Sequence, residues 1–351
     1  MVEARAMTLV KQLTGGCQCG AVRYTISAEP LAMLRCHCTS CQKQSASAFG
    51  LSVFVPVTGF AVAGPLKHFE QRAESGRRMR YHFCAECGTR IHHTAEPDPQ
   101  YVSVKGGTLD PGHGLEPVAD VWTRSKLPWV PLLEGGLAYP QQPPDMTPIL
   151  ERWQALRTIA FYNHRAADYA ERGEDETDHD ALKAFAAALP SGAAVLDLGC
   201  GSGWAAAALR ELGFAVTAMD ASAGLAREAA RRHGIEVRLG RFEDLEAHER
   251  FDGLWVHFSL LHIPRTRWPD LLARMRRALR PGGRLHIGLK AGEGSGPDRL
   301  GRFYSYATRA ELAALLTEAG FVDIEIEQRS GSKGFDGSES DILLAVARRG
   351  D

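Results

Sequence analysis

Residues 195–203 read VLDLGCGSG, and this stretch decides the fold of the second half of the chain. The apolar run before Gly199 is typical of a buried strand. Glycines let the backbone approach a ligand closely, and the helix that follows offers free N–H groups at its start. Asp220 ends the next predicted strand, where a carboxylate can accept hydrogen bonds from ribose hydroxyls. The stretch therefore predicts a site for a nucleoside-containing cofactor.

Short apolar runs and helical segments alternate outward from this turn. Strands are predicted at 193–198, 215–219, 235–239, 253–258 and 284–290, and helices at 204–212, 222–234 and about 267–280, the last ended by Pro281-Gly282-Gly283. Thr308 and Glu311 form a capping box, and Gly320 ends that helix. Residues 321–326 and 341–347 are expected to form an antiparallel pair. The alternation predicts an α/β Rossmann-like domain with a mostly parallel, seven-stranded sheet.

The glycine turn leaves two cofactor classes open. Counted from Gly201, a loosened dinucleotide pattern also fits, with Gly203 and Ala206. Asp197, on the strand just before the turn, favours S-adenosylmethionine instead. Its carboxylate is placed for the methionine amino group, whereas a dinucleotide site would gain nothing from a carboxylate that faces a pyrophosphate.

Residues 155–348 resemble the class I S-adenosylmethionine-dependent methyltransferases. The resemblance is carried by LDLGCG (196–201), FYNHRAADY (161–169), FDGLWVHFSLLHIP (251–264), LRPGGR (279–284), FYSYAT (303–308) and EAGF (318–321). It implies a cofactor site built from Tyr162, Asp197, Gly199, Cys200, Gly201, Asp220, Ala221, Phe242, Glu243, Val256 and His257. In that site Phe242 and Glu243 would border the adenine, and Val256 and His257 would lie under the sulfonium. Arg241 stands where many relatives have aspartate, yet binding is still expected.

Methyl transfer to a neutral acceptor needs a base. His257 and His262 are the nearest candidates, and the alternative, that they pack and support the site beneath the cofactor, is at least as strong. Cys200 is expected to be a small buried residue and not a nucleophile. No Asn/Asp-Pro-Pro-aromatic motif follows the fourth strand, which disfavours methylation of amide or nucleobase nitrogens.

Cysteines mark the first part of the chain, where seven of the eight lie before residue 88. Disulfides are disfavoured, because seven is odd and no secretory signal is visible. Buried thiols are a second alternative. Clustered thiols in a reduced compartment favour zinc, which takes four ligands in a structural site and three in an open one. Seven thiolates divide naturally as four plus three, but the spacing does not reveal which thiols share a metal.

Four ordered segments between residues 10 and 142 resemble the glutathione-dependent formaldehyde-activating enzymes and their CENP-V-like relatives. They are GGCQCGAVRY (15–24), CHCTSCQK (36–43), FCAECGT (83–89) and SKLPW (125–129). The resemblance implies a β-rich, zinc-bound β-tent fold, with a structural zinc on Cys17, Cys19, Cys84 and Cys87 and an open zinc on Cys36, Cys38 and Cys41. It links the open zinc to a glutathione–formaldehyde adduct. Ala46 replaces the family's usual glycine, which puts the local loop and glutathione specificity in question.

An open zinc on three thiolates favours a further thiolate, so the expected ligand is a small thiol or its adduct. A zinc-stabilised scaffold without turnover is the alternative. His37 is expected to be a loop residue or a donor to a ligand. His92 and His93 are expected to follow a strand as surface or packing residues.

The length of 351 residues predicts two domains. We expect a zinc domain at 1–142, a proline-rich linker at 143–150 and a methyltransferase domain at 151–351. The net charge of −1 argues against nucleic acid or an anionic membrane as partner. No apolar run reaches the length of a membrane span, and a cytoplasmic location is expected.

These observations predict an S-adenosylmethionine-dependent methyltransferase that acts on a small molecule, with a zinc domain that binds a thiol such as glutathione or its adduct. Two alternatives are a carbon–sulfur lyase acting on a glutathione–formaldehyde adduct, with an auxiliary methyltransferase domain, and a zinc scaffold that only presents substrate. The methyl acceptor and the oligomeric state are left open.

Overall fold

The computed structural model describes residues 12–172 and 176–350. It divides into two compact units, Met1–Gln154 and Ala155–Asp351. The predicted linker, 143–150, is helical in its second half, because helix α2 begins at Thr147. Pro148 fits there, since the first turn of a helix needs no N–H from it.

The regular elements of the first unit are almost all strands. They are β1 (Leu13–Gly16), β2 (Arg23–Ile26), β3 (Ala32–Cys36), β4 (Gly50–Pro56), β5 (Phe60–Ala63), β6 (Leu66–Arg72), β7 (Arg78–Cys84), β8 (Arg90–Glu96), β9 (Tyr101–Lys105), β10 (Ala119–Val121) and β11 (Leu137–Tyr139). One short helix, α1 (Thr39–Ser45), follows β3. The strands form an eight-stranded sheet in the order β11-β10-β3-β4-β9-β8-β7-β6 and a three-stranded sheet, β1-β2-β5. The prediction of a β-rich domain is confirmed.

The second unit begins with three helices. They are α2 (Thr147–His164), which crosses the division, α3 (Ala166–Glu171) and α4 (Glu176–Ala187). Strands and helices then alternate as β12 (Ala194–Leu198), α5 (Trp204–Glu211), β13 (Ala215–Asp220), α6 (Ala223–His233), β14 (Val237–Leu239), β15 (Phe251–His257), α7 (Trp268–Ala278) and β16 (Leu279–Lys290). The chain ends with β17 (Ser295–Pro297), β18 (Phe303–Ser305), α8 (Arg309–Glu318), β19 (Phe321–Lys333) and β20 (Glu339–Arg349).

The main sheet of this unit has seven strands in the order β14-β13-β12-β15-β16-β20-β19. The first five run parallel, and β20 and β19 are antiparallel to their neighbours. This confirms the predicted mostly parallel sheet and its terminal antiparallel pair. The carboxyl ends of β12 and β15 lie side by side, which is where ligands bind in open α/β sheets.

Local signals set several helix ends. The Ser222 hydroxyl accepts a hydrogen bond from the Leu225 N–H at the start of α6, and Thr308 and Glu311 form the capping box of α8. One prediction is wrong: Pro281-Gly282-Gly283 does not end α7. That helix stops at Ala278, and the three residues lie within β16, because the chain pairs with the start of β15 directly after the helix, at Leu279.

A large apolar cluster packs α7 and α8 against the sheet. Trp268, Leu272 and Met275 of α7 are fully buried in it. At about 25 cal/mol per Å² of apolar surface, such burial is the main contribution that holds the sheet and its helices together. Among the described residues, no helix has both the length and the apolar character needed to span a membrane.

Candidate cofactor and metal sites

The glycine turn after β12 requires its glycines. Gly199, Gly201 and Gly203 have φ values of +78°, +55° and +82°. A Cβ atom at Gly199 would lie 2.3 Å from the Cβ atom of Ser259, which follows β15. Backbone conformation and packing therefore both exclude a side chain here, and the turn can lie close to a ligand.

Asp220 fastens this turn to the end of β13. Its carboxylate accepts hydrogen bonds from the N–H of Gly201 at 2.9 Å and from the N–H of Ser222 at 2.7 Å. Burial raises the pKa of Asp220. Each oxygen keeps a second lone pair, so the carboxylate can still accept hydrogen bonds from a ligand's hydroxyl groups.

Asp197 is the least satisfied polar group near the turn. It is 2% exposed, and its Oδ2 atom is buried with no hydrogen-bond partner. Burial, followed by the negative charge of Asp220, raises the pKa of Asp197 to about 8. A buried carboxylate oxygen without a partner is costly, and a cationic ligand group would relieve that cost. The residues here fit the amino end of S-adenosylmethionine.

A cavity of about 450 Å³ opens beside the glycine turn. Its walls are rich in aromatic and basic side chains, including Tyr169, Trp204, Phe258, Tyr304, Phe335, Arg172, Lys290, Arg302 and Lys333. Of the residues predicted for the cofactor site, five line this cavity: Tyr162, Gly199, Cys200, Gly201 and His257. Cys200 is buried there as a free thiol.

The other predicted cofactor residues do not line this cavity: Asp197, Asp220, Ala221, Phe242, Glu243 and Val256. Phe242 and Val256 are buried in the apolar cluster under the sheet. The Glu243 carbonyl accepts a hydrogen bond from Arg274 at 3.0 Å, and its carboxylate lies 3.7 Å from Arg267.

His262 is held by hydrogen bonds at both ring nitrogens. Its Nδ1 lies 2.7 Å from the Phe303 carbonyl oxygen, and its Nε2 lies 2.9 Å from the Tyr162 hydroxyl. Burial lowers the pKa of His262 to about 3, so the ring is neutral. A neutral ring donates from Nδ1 and accepts from Tyr162 at Nε2. This arrangement favours the supporting alternative for His262.

Arg302 is a site residue that the sequence interpretation missed. Its side chain is 1% exposed and pairs with Asp298 at 2.6 Å. Its Nη1 donates to the Tyr162 hydroxyl at 3.1 Å, and its guanidinium lies 5.2–5.7 Å from the ring centroids of Phe161, Tyr162, Tyr304 and Phe335. An arginine within the aromatic stretch GRFYSY (301–306) was the available signal.

His257 lies between two titratable side chains. Its Nε2 is 2.9 Å from an Asp178 oxygen on α4, and its Nδ1 is 3.0 Å from Nε2 of His286 on β16. Asp178 and His286 were not singled out from the sequence, because they lie 79 and 29 positions from His257. Burial lowers the pKa of His286 far below its usual range.

Two cysteine clusters form in the first unit, with the division that the resemblance implied. In one cluster the sulfur atoms of Cys17, Cys19, Cys84 and Cys87 all lie within 4.8 Å of one another. The Cys17–Cys19 and Cys19–Cys84 sulfur distances are 3.4 and 3.8 Å. Four thiolates at 2.3 Å from a zinc ion stand about 3.8 Å apart in a tetrahedron. The donor set therefore fits a closed structural zinc.

Cys36, Cys38 and Cys41 form the second cluster, with sulfur atoms within the same limit. Cys38 is the N-cap of α1 and accepts a hydrogen bond from the Cys41 N–H at 3.3 Å. A Cβ atom at Gly50 would lie 3.0 Å from the Cys41 Cβ, so the glycine makes room for this thiol. Three thiolates fit a zinc with one open position.

Ala46 takes the left-handed conformation, with φ of +49° and ψ of +39°, at the C-cap of α1. Glycine adopts this conformation without steric cost, whereas alanine is strained in it, so the loop carries a backbone strain at Ala46.

His37 is fully buried beside the second cluster. Its Nε2 lies 2.7 Å from Asp120, which also binds Arg35 through two hydrogen bonds. The His37 carbonyl accepts hydrogen bonds from Gln42 and from Ser125 of the SKLPW segment. His37 thus fixes the loop that carries the cysteines, as expected of a supporting residue.

The predicted position of His92 and His93 after a strand is wrong. Both lie within β8, where they pair across the sheet with His82 and Tyr81. Burial lowers the pKa of His92 to about 3 and that of His93 well below its usual value. They are packing residues inside the sheet.

Comparisons with known proteins agree with the division of the chain into a β-rich unit and an α/β unit. Residues 12–125 match the family model described as glutathione-dependent formaldehyde-activating enzyme, and residues 195–283 match a methyltransferase domain. The chain therefore joins a domain of the formaldehyde-activating enzyme family to a methyltransferase domain.

Two curated relatives are each similar to part of this chain. The ubiquinone biosynthesis O-methyltransferase of Xanthomonas oryzae pv. oryzae (strain PXO99A) is 37% identical over 105 residues, which is 28% of this chain and 43% of that protein. The corresponding enzyme of Xylella fastidiosa (strain 9a5c) is 37% identical over 105 residues, with 28% and 42% covered. The chain thus spans less than half the length of these relatives.

A solved structure of the Burkholderia thailandensis 1,6-didemethyltoxoflavin-N1-methyltransferase, with bound 1,6-didemethyltoxoflavin and S-adenosylhomocysteine, is 28% identical with a TM-score of 0.42. It covers 55% of this chain and 88% of the other.

Proposed function

We propose that this protein is an S-adenosylmethionine-dependent methyltransferase that acts on a small molecule, and that its zinc domain binds a thiol or a thiol adduct. The observation that carries the first part is Asp197, whose buried carboxylate oxygen has no partner beside a turn of three left-handed glycines. The unpaired carboxylate oxygen favours a ligand with an ammonium group, and the glycine turn favours a ligand that lies close against the protein backbone. The match to a methyltransferase domain supports the same cofactor.

The chain's residues have distinct tasks in this proposal. Asp197 binds the amino group of the cofactor, and Asp220 accepts hydrogen bonds from its ribose hydroxyls. Tyr162, held by Arg302 and His262, closes the cavity beside the glycine turn. The bound cofactor supplies an electrophilic methyl group, and the cavity orients the acceptor toward it.

The acceptor would be a small, flat molecule. Aromatic side chains line the cavity and offer stacking surfaces, and the basic groups there favour an oxygen-rich or anionic compound. The curated relatives, named as O-methyltransferases, support an oxygen acceptor.

The three-cysteine cluster would hold zinc with one open position. Three thiolates on a divalent ion carry a net charge of −1, and the side chains of Arg90 and Lys105 are close enough for their positive charges to attract the thiolate of Cys41. The surroundings are therefore net positive and favour an anionic fourth ligand such as the thiolate of glutathione. No two of the eight cysteines are joined in a disulfide, which supports the proposal of a reducing, cytoplasmic location.

Calorimetric titration of the purified chain with S-adenosylhomocysteine, repeated with NADH, tests the cofactor. We expect micromolar binding of the first and none of the second. Incubation with methyl-labelled cofactor and cell extract, followed by mass spectrometry, then identifies the acceptor. Binding of NADH alone would contradict the proposal.

The three-cysteine cluster supports a second candidate function, carbon–sulfur chemistry on a glutathione–formaldehyde adduct. The observation that favours it is the set of three thiolates with an open position in a domain that matches the formaldehyde-activating enzymes. Turnover of S-hydroxymethylglutathione without S-adenosylmethionine, lost in Cys36→Ser, would establish it.

A further inference from the structure

Asp178 is the one carboxylate among the described residues that line the cavity beside the glycine turn. Its side chain is 17% exposed, so it faces the cavity without being free in solvent. The cavity's other charged side chains, Arg172, Lys290, Arg302 and Lys333, are basic and cannot accept a proton in the charged state. Neither candidate histidine has a free ring nitrogen, because protein groups occupy both nitrogens of each.

The three side chains Asp178, His257 and His286 form a line of hydrogen bonds. The distances are 2.9 Å from an Asp178 oxygen to Nε2 of His257, and 3.0 Å from Nδ1 of His257 to Nε2 of His286. Nδ1 of His286 is buried and has no hydrogen-bond partner. Each neutral imidazole has one N–H, so the direction of the line depends on where His286 keeps its proton.

A buried N–H without a partner is rarer and more costly than a buried acceptor without one. His286 therefore keeps its proton on Nε2 and donates it to Nδ1 of His257. His257 in turn carries its proton on Nε2 and donates it to Asp178. The line of hydrogen bonds thus ends at the cavity wall with Asp178, whose carboxylate accepts a hydrogen bond from the His257 ring.

Packing holds the His257 ring in this position. Its ring and that of His286 both stack on Trp255, with centroid distances of 4.8 and 3.9 Å. Opposite His257 on β16 is Gly288, where a Cβ atom would lie 2.6 Å from Nδ1 of His257. The glycine leaves the space that the ring needs. Stacking fixes the plane of the ring, and the hydrogen bonds to Asp178 and His286 fix its orientation within that plane.

We propose that Asp178 accepts the proton of the methyl acceptor, and that His257 is a positioning residue that orients the carboxylate. The proposal rests on the proposed methyltransferase function. It makes the acceptor a neutral hydroxyl or amine, because an acceptor that is already ionised would need no base.

The step is balanced. The acceptor's heteroatom forms a bond to the methyl carbon as the carbon–sulfur bond of the donor breaks, with that electron pair staying on sulfur. The proton leaves the heteroatom for an Asp178 oxygen. The positive charge of the donor and the negative charge of Asp178 both disappear, so the net charge of the cavity does not change.

Binding of two cofactor analogues to the full chain tests this without knowledge of the acceptor. S-adenosylhomocysteine has no group at the position of the transferred methyl, whereas sinefungin carries an amino group there. If Asp178 faces that position, Asp178→Asn weakens sinefungin by about tenfold or more, because a charge-assisted contact is lost. Its affinity for S-adenosylhomocysteine changes by no more than about threefold.

Asp180→Asn is the matched control, since Asp180 lies on the same helix, is 59% exposed and pairs with Lys183. It is expected to leave both affinities unchanged. Equal loss of both analogues in Asp178→Asn, or no loss of either, overturns the proposal. Failure of wild-type protein to bind either analogue instead overturns the proposed function itself.

His257→Gln is a second variant in case Asp178→Asn unfolds. It removes the fixed donor and is expected to weaken sinefungin about threefold relative to S-adenosylhomocysteine. An unchanged ratio of the two affinities counts against the positioning role.

Discussion

The Tyr162 hydroxyl lies 2.9 Å from Nε2 of His262 and 3.1 Å from Nη1 of Arg302, and so it joins a neutral ring to a buried cation. Helix α2 carries Tyr162, while His262 ends a short 3-10 helix after β15 and Arg302 directly precedes β18. One phenol oxygen therefore ties three distant segments together at the cavity wall.

Tyr162→Phe is expected to destabilise the methyltransferase domain by about 1–3 kcal/mol, because it leaves a buried acceptor on His262 and a buried donor on Arg302 without partners. The measurement is the shift of that domain's transition in thermal unfolding. Tyr306→Phe, at a partly buried tyrosine nearby, serves as control and should shift it much less. Equal shifts for the two variants would show that the network contributes nothing.

Asp197→Asn is expected to stabilise the domain at pH 8 more than at pH 5. The folded pKa of Asp197 is about 8, whereas an unfolded aspartate titrates near 4. Between these values the folded state holds the proton more tightly, so its stability falls as pH rises from about 4 to 8. Asparagine resembles the protonated acid and removes that loss. Melting temperatures of both proteins across this range give the comparison, and a constant difference would contradict the assignment.

The same substitution is expected to weaken S-adenosylhomocysteine by about tenfold or more, since the cofactor's ammonium loses its carboxylate. Wild-type protein should release protons when the ligand binds at pH 7, because Asp197 ionises to pair with the ammonium. Calorimetry in two buffers of different ionisation enthalpy measures this release. Asp197→Asn should release none.

Gly199→Ala is expected to abolish cofactor binding and to destabilise the domain by about 2 kcal/mol or more, since an alanine methyl would overlap Ser259 and strain a left-handed backbone. Binding of S-adenosylhomocysteine and thermal unfolding report the two effects. Gly213→Ala is the control, because Gly213 is also left-handed but a Cβ there meets nothing within 4 Å. It should lose some stability and keep its affinity.

Cys17→Ser and Cys36→Ser are expected to separate the two metal sites. Each should lower the zinc content by about one ion per chain, as measured by elemental analysis. Cys17→Ser should also lower the melting temperature of the first domain strongly, because a closed four-thiolate site contributes directly to folding. Cys36→Ser should affect it less. Loss of both ions from either variant would mean that the clusters do not fill independently.

Ala46→Gly is expected to stabilise the first domain by about 0.5–1 kcal/mol. Relief of the left-handed strain gains roughly 1–2 kcal/mol, and the greater freedom of glycine in the unfolded chain costs about 0.5–1 kcal/mol. Ala48→Gly, at a position without positive φ, should destabilise instead. Thermal unfolding of the zinc-loaded chain measures both.

Short-range signals predicted much of the fold. The Ser222 cap and the Thr308–Glu311 box were recognisable because a cap and the N–H that it accepts lie within three residues of each other. The parallel sheet was predicted from the alternation of apolar runs and helical segments, a pattern that is also visible within short stretches of sequence. The predicted end of α7 at Pro281-Gly282-Gly283 was wrong because pairing with β15, a long-range contact, draws those residues into a strand.

The sequence by itself therefore indicated the glycine turn and the cysteine pairs with close spacing, since each depends on neighbouring residues, while the resemblance of its motifs to two families indicated the two domain types. The cysteine spacing left open that Cys19 meets Cys84 across 65 positions, a grouping that the family resemblance implied and the structure shows. Only the tertiary structure decided that Asp178 and His286 close on His257 from opposite sides. Strand order and register place such groups within hydrogen-bond distance, and spacing along the chain carries no information about which distant strands become neighbours.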